Sequence, residues 1–162
     1  MATQNFKSKY FKELNDFLKL RSGFKKLVFT NGCFDIIHVG HVRYLEAARK
    51  LGDVLVVGLN TDSSVKAMNK VGPGRPINIL ENRAEVLSAF WFVDFIISFS
   101  EKTALELVKK IRPEIYTKGG DWKLETIPEA KFVSSYGGEF QSIPFVEGYS
   151  STSIIKKINE SK

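Results

Sequence analysis

Both histidines of the chain, His38 and His41, fall in one stretch, FTNGCFDIIHVGH, residues 29–41. Residues three apart share a helix face, so a helix starting near Val39 would project both rings over its N-terminus. Free N–H groups and the helix dipole favour an anion there. Paired imidazoles donating to phosphate oxygens can stabilise charge that builds up on a phosphorus centre. Gly40, between them, is expected to let a ligand approach the backbone. A His-x-x-His pair also suits a metal, but zinc needs a third ligand, and this stretch offers only Asp35 and Cys33. Two ordinary surface or core histidines are the plain alternative, and their shared place after the first strand of an α/β sheet weighs against it.

The elements around this stretch alternate. KKLVFTNG (25–32), DVLVVGLN (53–60), FVDFIISF (92–99), EIYTKGGD (114–121) and GEFQSIPF (138–145) read as strands. The second is close to continuously apolar, as a parallel strand covered on both faces tends to be. Helical patterns fall at about Val39–Leu51 and at 79–90, 101–111, 127–137 and 151–160, with Asp62 and Ser63 placed to cap a short helix. NKVGPGRPIN (69–78) is a Gly/Pro-rich loop. Phe6, Tyr10, Phe11, Leu14, Phe17 and Leu18 form an apolar stripe at helical spacing, so residues 1–25 are expected as an N-terminal helical extension ahead of a domain over 26–162. Strands alternating with helices predict an α/β fold, a Rossmann-like parallel sheet with helices on both faces. Right-handed crossovers then gather the loops after the strands along one edge, where ligands bind.

One domain of 162 residues buries a core without disulfides. The single cysteine, Cys33, excludes an internal disulfide framework and fits a reducing, cytoplasmic setting. No stretch is apolar for long enough to span a bilayer, and Lys and acidic residues interrupt the N-terminus too often for a signal peptide. A net charge of +6 favours an anionic partner, or else a surplus that aids solubility. The lysines form no dense block of the kind that marks a nucleic-acid surface.

GCFDIIHVGH resembles the signature of the HIGH-type nucleotidyltransferases, Gly-x-Phe-Asp-x-x-His-x-Gly-His. RYLEAARKLGDVLVVGLNTDSSVK, GRPINILENR, VDFIISFSEKT, RPEIYTKGGDW and EGYSSTSIIKKI are similar to segments of one branch, the ADP-heptose synthases, over about residues 26–159. The resemblance implies an adenylyltransferase that joins ATP and D-glycero-β-D-manno-heptose 1-phosphate and releases pyrophosphate, with Mg²⁺ accompanying ATP. It implies that His38 and His41 contact the triphosphate, that backbone around Gly32, Cys33 and Phe34 holds the nucleotide beside Gly40, and that Asp35 orients the loop or sits near Mg²⁺. Lys70 matches a phosphate-reaching lysine, with Lys66 the second candidate, and Arg83 matches a phosphate-binding arginine. Lys118, Gly119, Gly120 and Asp121 would form part of the nucleotide pocket, and Ser151, Thr152 and Ser153 would cap the last helix at the β- and γ-phosphates.

Simpler readings stand beside these. Cys33 suits a packing role, Arg83 an ion pair with Glu81 or Glu85, Lys66 and Lys70 solvated loop charges, Gly119-Gly120 a tight turn, and SSTS a plain N-cap. Trp91 and Trp122 suit core or pocket equally. Cytidylyltransferase relatives carry RTEGIST-like text before the last helix; FVEGYSST has no basic residue at Phe145 or Val146, which argues against a glycerol 3-phosphate cytidylyltransferase. About 25 residues precede the first strand, so a sugar kinase would be a separate protein. The N-terminal stripe of Phe6, Tyr10, Leu14 and Phe17 is expected to pack either on the domain or on a second subunit, the latter giving a homodimer. A non-catalytic nucleotide- or nucleic-acid-binding protein is the alternative from another class.

Overall fold

The apolar runs pair as parallel strands. In this computed structural model, which describes residues 6, 8–68, 74–144, 146 and 148–161, β2 (Leu27–Gly32) lies in register with β3 (Val54–Asn60), from Leu27 against Val54 to Gly32 against Leu59. All seven residues of β3 are buried, as the unbroken apolar run requires. β4 (Phe95–Phe99) flanks β3, β5 (Ile115–Gly119) flanks β2, and β6 (Glu139–Ile143) flanks β5, all parallel. With β1 (Tyr10–Phe11) at one edge, the strand order is β1-β4-β3-β2-β5-β6. Chain direction across the sheet reverses between β2 and β5, which opens a crevice beyond their carboxyl ends.

Side-chain alternation along the strands builds two cores. Leu27, Phe29, Val56 and Ile97 face α1 (Leu14–Arg21), α5 (Leu105–Ile111) and α6 (Pro128–Ser135). Val28, Leu55, Val57 and Ile96 face α2 (Val39–Arg49) and α4 (Leu80–Ser88). Two further helices stand at the carboxyl edge: α3 (Asp62–Ala67) after β3 and α7 (Ser151–Glu160) after β6. Thr61 caps α3 rather than Asp62 or Ser63, accepting from the Ser64 N–H at 3.3 Å. No helix among the described residues is long and apolar enough to cross a membrane.

The N-terminal segment departs from the expected continuous helix. Tyr10 and Phe11 form β1, paired in parallel with Ile96 and Ile97, and α1 begins only at Leu14. An open strand edge has unpaired backbone groups to offer, and these two aromatics pack well in extended form. Tyr10 stacks on Phe6 at 5.5 Å, and Phe11 meets Phe95 edge-on at 5.8 Å. Lys9 secures the segment by donating from Nζ to the carbonyls of Ser88 and Phe90, at 3.0 and 3.1 Å.

Candidate active site

The loop after β2 turns sharply at Phe34, whose φ is 44°, and runs to His38, the residue that precedes the first turn of α2. The His41 and Val42 N–H groups donate to the His38 carbonyl, at 2.9 and 3.2 Å. This turn brings the two imidazoles together, with centroids 3.9 Å apart and planes inclined at 31°, and sets the Phe34 ring 5.3 Å from His41. Both Nδ1 atoms are buried without a hydrogen-bond partner among the described residues. Burial lowers the pKa of His38; burial and the neighbouring His38 bring that of His41 down to about 4. The free protein therefore carries two uncharged imidazoles at neutral pH, with unspent hydrogen-bonding capacity.

This has a consequence for stability. An unfolded histidine takes up its proton near pH 6.5, whereas folded His41 resists until about 4. Between those values the unfolded chain binds more protons, so stability is full above pH 6.5 and falls as the pH drops toward 4. Urea midpoints measured across this window should decline with acid, and a His41→Gln variant should decline less.

Gly40 also leaves room for its neighbour. A Cβ there would lie 2.9 Å from Cε1 and Nδ1 of the His38 ring, so any side chain displaces that imidazole. Gly40→Ala should cut turnover by about tenfold or more while leaving the unfolding midpoint nearly unchanged, since loss of positioning by an ångström has that scale.

Two clefts meet at His41 and Tyr44. The larger, about 520 Å³, runs from His38 and Gly40 to the start of α7, where Tyr149, Ser150, Ser151 and Ser153 line it. Ser150, the first residue of the SSTS segment, is the cap: its Oγ accepts from the Ser153 N–H at 3.0 Å, and Ser153 Oγ accepts from the Ser150 N–H at 3.2 Å. Ser151 and Ser153, expected as caps, belong to the first turn, and Ser151 Oγ donates to the Ile36 carbonyl at 3.1 Å, tying α7 to the histidine loop. Thr152 is exposed and lines neither cleft.

The smaller cleft, about 190 Å³, occupies the crevice between β2 and β5. Gly32, Cys33 and Phe34 form one wall; Lys118, Gly119 and Trp122 form the other. Gly120, with φ 110°, donates its N–H to the Ile143 carbonyl at 2.8 Å, and this turn sets the half-exposed Trp122 beside the cleft, where its indole N–H donates to the Gly119 carbonyl at 2.9 Å. Trp122 is thus a pocket residue, while Trp91 is 72% exposed and lies in neither cleft. Asp121 is exposed and lines neither. Tyr44 forms the floor, its hydroxyl between Thr30 Oγ1 at 2.6 Å and Thr117 Oγ1 at 3.0 Å. Burial pushes the Cys33 thiol upward, which favours the unreactive protonated form.

Asp35 and Arg83 hold loops together. The buried Asp35 carboxylate accepts from Arg75 Nε and from the N–H groups of Ile77 and Asn78, each at 2.8 Å. Burial alone would raise its pKa, but the Asn78 and Ile77 amides and Arg75 outweigh that and hold it below the usual carboxylate value. Arg83, 1% exposed, donates to the Asn78 carbonyl at 3.0 Å, the Cys33 carbonyl at 2.6 Å and Asp62 Oδ1 at 2.7 Å. It pairs with neither Glu81 nor Glu85, and all three of its nitrogens are engaged within the protein. Lys66 is exposed and lines neither cleft; Lys70 and Phe145 lie outside the described residues. No group of three His, Cys, Asp or Glu side chains among the described residues is placed to hold a metal.

The family described as Cytidylyltransferase-like matches residues 29–157, which include both clefts and the histidine pair. The chain belongs to the cytidylyltransferase-like family. Membership makes it a nucleotidyltransferase enzyme. This cytidylyltransferase-like chain is 49% identical over 161 residues to the bifunctional protein HldE of Campylobacter concisus, covering 99% of this chain and 33% of that protein. It is 48% identical over 134 residues to the bifunctional protein HldE of Syntrophotalea carbinolica, covering 83% of this chain and 27% of the relative. The chain thus spans about a third of these relatives or less. Among solved structures it resembles a lipopolysaccharide core biosynthesis protein from Thermoplasma volcanium, at 30% identity and a TM-score of 0.59, over 77% of this chain and 98% of that one. Pantothenate synthetase from Thermus thermophilus shares the fold at 15% identity and a TM-score of 0.60, over 90% of this chain and 67% of that one.

Proposed function

We propose that the chain is an adenylyltransferase that joins ATP and D-glycero-β-D-manno-heptose 1-phosphate, giving ADP-heptose for lipopolysaccharide synthesis and releasing pyrophosphate. The observation that carries this reading is the close histidine pair, its Nδ1 atoms unpartnered among the described residues, where the two clefts meet in a chain so similar to HldE proteins. The adenosine end of ATP enters the crevice between Gly32 and Lys118. The α-phosphate stands at His41, and the β- and γ-phosphates reach the capped start of α7, where N–H groups and serine hydroxyls meet them.

An oxygen of the sugar phosphate attacks the α-phosphorus in line with the departing pyrophosphate. A P–O bond forms to the sugar phosphate, and the bond to pyrophosphate breaks with its electron pair. No covalent enzyme intermediate is needed, so positioning and charge neutralisation supply the rate. His38 and His41 donate to oxygens on which charge accumulates. Asp35 fastens the histidine loop to residues 75–78, and Arg83 sets the Cys33 carbonyl and Asp62, so both shape the site from behind. Lys70 is proposed to reach phosphate from the Gly/Pro loop. Magnesium arrives with ATP: the oxygens of Asp35 are engaged, so phosphate oxygens and water would coordinate it. Supply of the sugar phosphate by a sugar kinase, a cytoplasmic setting and a homodimer complete the proposal.

The test is pyrophosphate release with ATP or CTP crossed with heptose 1-phosphate, other sugar 1-phosphates and glycerol 3-phosphate. The expected result is turnover with ATP and the heptose phosphate. Turnover confined to CTP and an alditol phosphate would reassign the reaction, and salt-sensitive nucleic-acid binding without turnover would replace it.

A further inference from the structure

A triphosphate undergoing substitution brings several negative charges into the site, and few cations stand ready to meet them. Arg75 is paired with Asp35 and Arg83 with Asp62. The two imidazoles are uncharged in the free protein. Of the described residues lining the two clefts, Lys118 alone carries a lysine or arginine side chain.

Lys118 sits near the carboxyl end of β5, on the opposite wall of the smaller cleft from Cys33 and Phe34, with His41 also lining that cleft. No carboxylate among the described residues forms an ion pair with its ammonium within 4.0 Å. Burial opposes its charge. The buried Glu129 carboxylate, held by the Ala104 N–H at 3.0 Å, acts from a greater distance and favours it. A lysine desolvated in this way and left without a close counter-ion is poised for an anionic occupant. A cleft wall that met only a base and a ribose would gain nothing from that arrangement.

We propose that Lys118 is a catalytic residue whose ammonium binds a non-bridging oxygen of the α-phosphate, beside His41. The two clefts share His41 and Tyr44; with the terminal phosphates in the larger and the nucleoside in the smaller, as proposed above, the phosphate joining them lies at that shared wall. Lys118 keeps its proton throughout, and its charge offsets what the phosphoryl oxygens gain as the new P–O bond forms and pyrophosphate leaves. The proposal rests on the adenylyltransferase reading, both for the acceptor and for the way ATP lies across the two clefts.

Lys118→Met keeps the length of the chain and removes the charge; Lys118→Arg keeps the charge. The Met variant should lose about a hundredfold in kcat, with a smaller change in the KM of the sugar phosphate. Titrations need no acceptor: affinity for ATP should fall about tenfold in the Met variant, as for loss of a charge-assisted contact, while affinity for adenosine stays unchanged. The Arg variant should recover at least tenfold of the lost kcat. Equal weakening of ATP and adenosine would make Lys118 a nucleoside wall and overturn the proposal, as would a Met variant within about threefold of wild type in kcat and ATP affinity. Should the wild type reject heptose 1-phosphate, only the acceptor assignment fails, and the ATP and adenosine titrations still decide the role of Lys118. Thermal unfolding checks each variant, and Lys118→Gln repeats the comparison if the Met variant does not fold.

Discussion

His41→Ala should lower turnover by on the order of a hundredfold or more, the scale expected when one preorganised donor to a developing oxyanion is removed. His41 lines both clefts, its ring is fixed between Phe34 and His38, and its Nδ1 has no partner among the described residues. The ring is therefore already oriented before substrate arrives, which is the condition for electrostatic catalysis without reorganisation. His38→Ala should cost a similar factor, and the double variant should cost little more than either alone, because the rings act as one unit. Pyrophosphate release at saturating substrates reads all three. Near-normal turnover in His41→Ala would remove the histidine pair from the mechanism, whatever the nucleotide.

Arg83→Met should destabilise the fold by about 3–5 kcal/mol, the scale of leaving two acceptors without their buried donor, while the partly exposed Asp62 loses its ion partner. The Cys33 and Asn78 carbonyls and the Asp62 carboxylate would each lose a donor. For a chain of this size the midpoint should drop by about 10 °C. Arg83→Lys should recover little, because one ammonium cannot reproduce a planar fork that reaches three acceptors. Denaturant unfolding, paired with kinetics below the new midpoint, separates two roles. A large loss of stability fits the bracing geometry. A variant as stable as wild type but strongly impaired in kcat would restore direct phosphate binding to Arg83.

Where local chemistry decided an element, the sequence was informative. The unbroken apolar runs of β2 and β3, the turn at the histidines and the glycines after β5 all stood where their residue types pointed. Misreadings arose where distant parts of the chain compete. Tyr10 and Phe11 sit at helical spacing, yet the open edge of β4 offers them a partner 86 residues away. Arg83 looks like a surface residue beside two glutamates, and only the fold brings Cys33, 50 residues earlier, to its guanidinium. Ser150 lost to its neighbours because four hydroxyl residues in a row (Ser150, Ser151, Thr152, Ser153) are equivalent caps until the helix start is known. Gly40 lines the larger cleft, and only the fold shows that the His38 ring takes the space a side chain there would need.

The pairing of Tyr10 and Phe11 with Ile96 and Ile97 bears on how the protein survives in solution. A shortened chain starting at Lys25 would keep the histidine loop and lose this two-residue cover, along with Phe17 from the core beneath it. The bared flank of β4 would then be a template on which other copies could add strand to strand. Such a fragment should be less stable and should form insoluble assemblies when concentrated, so Tyr10 and Phe11 guard against self-association as well as support the sheet.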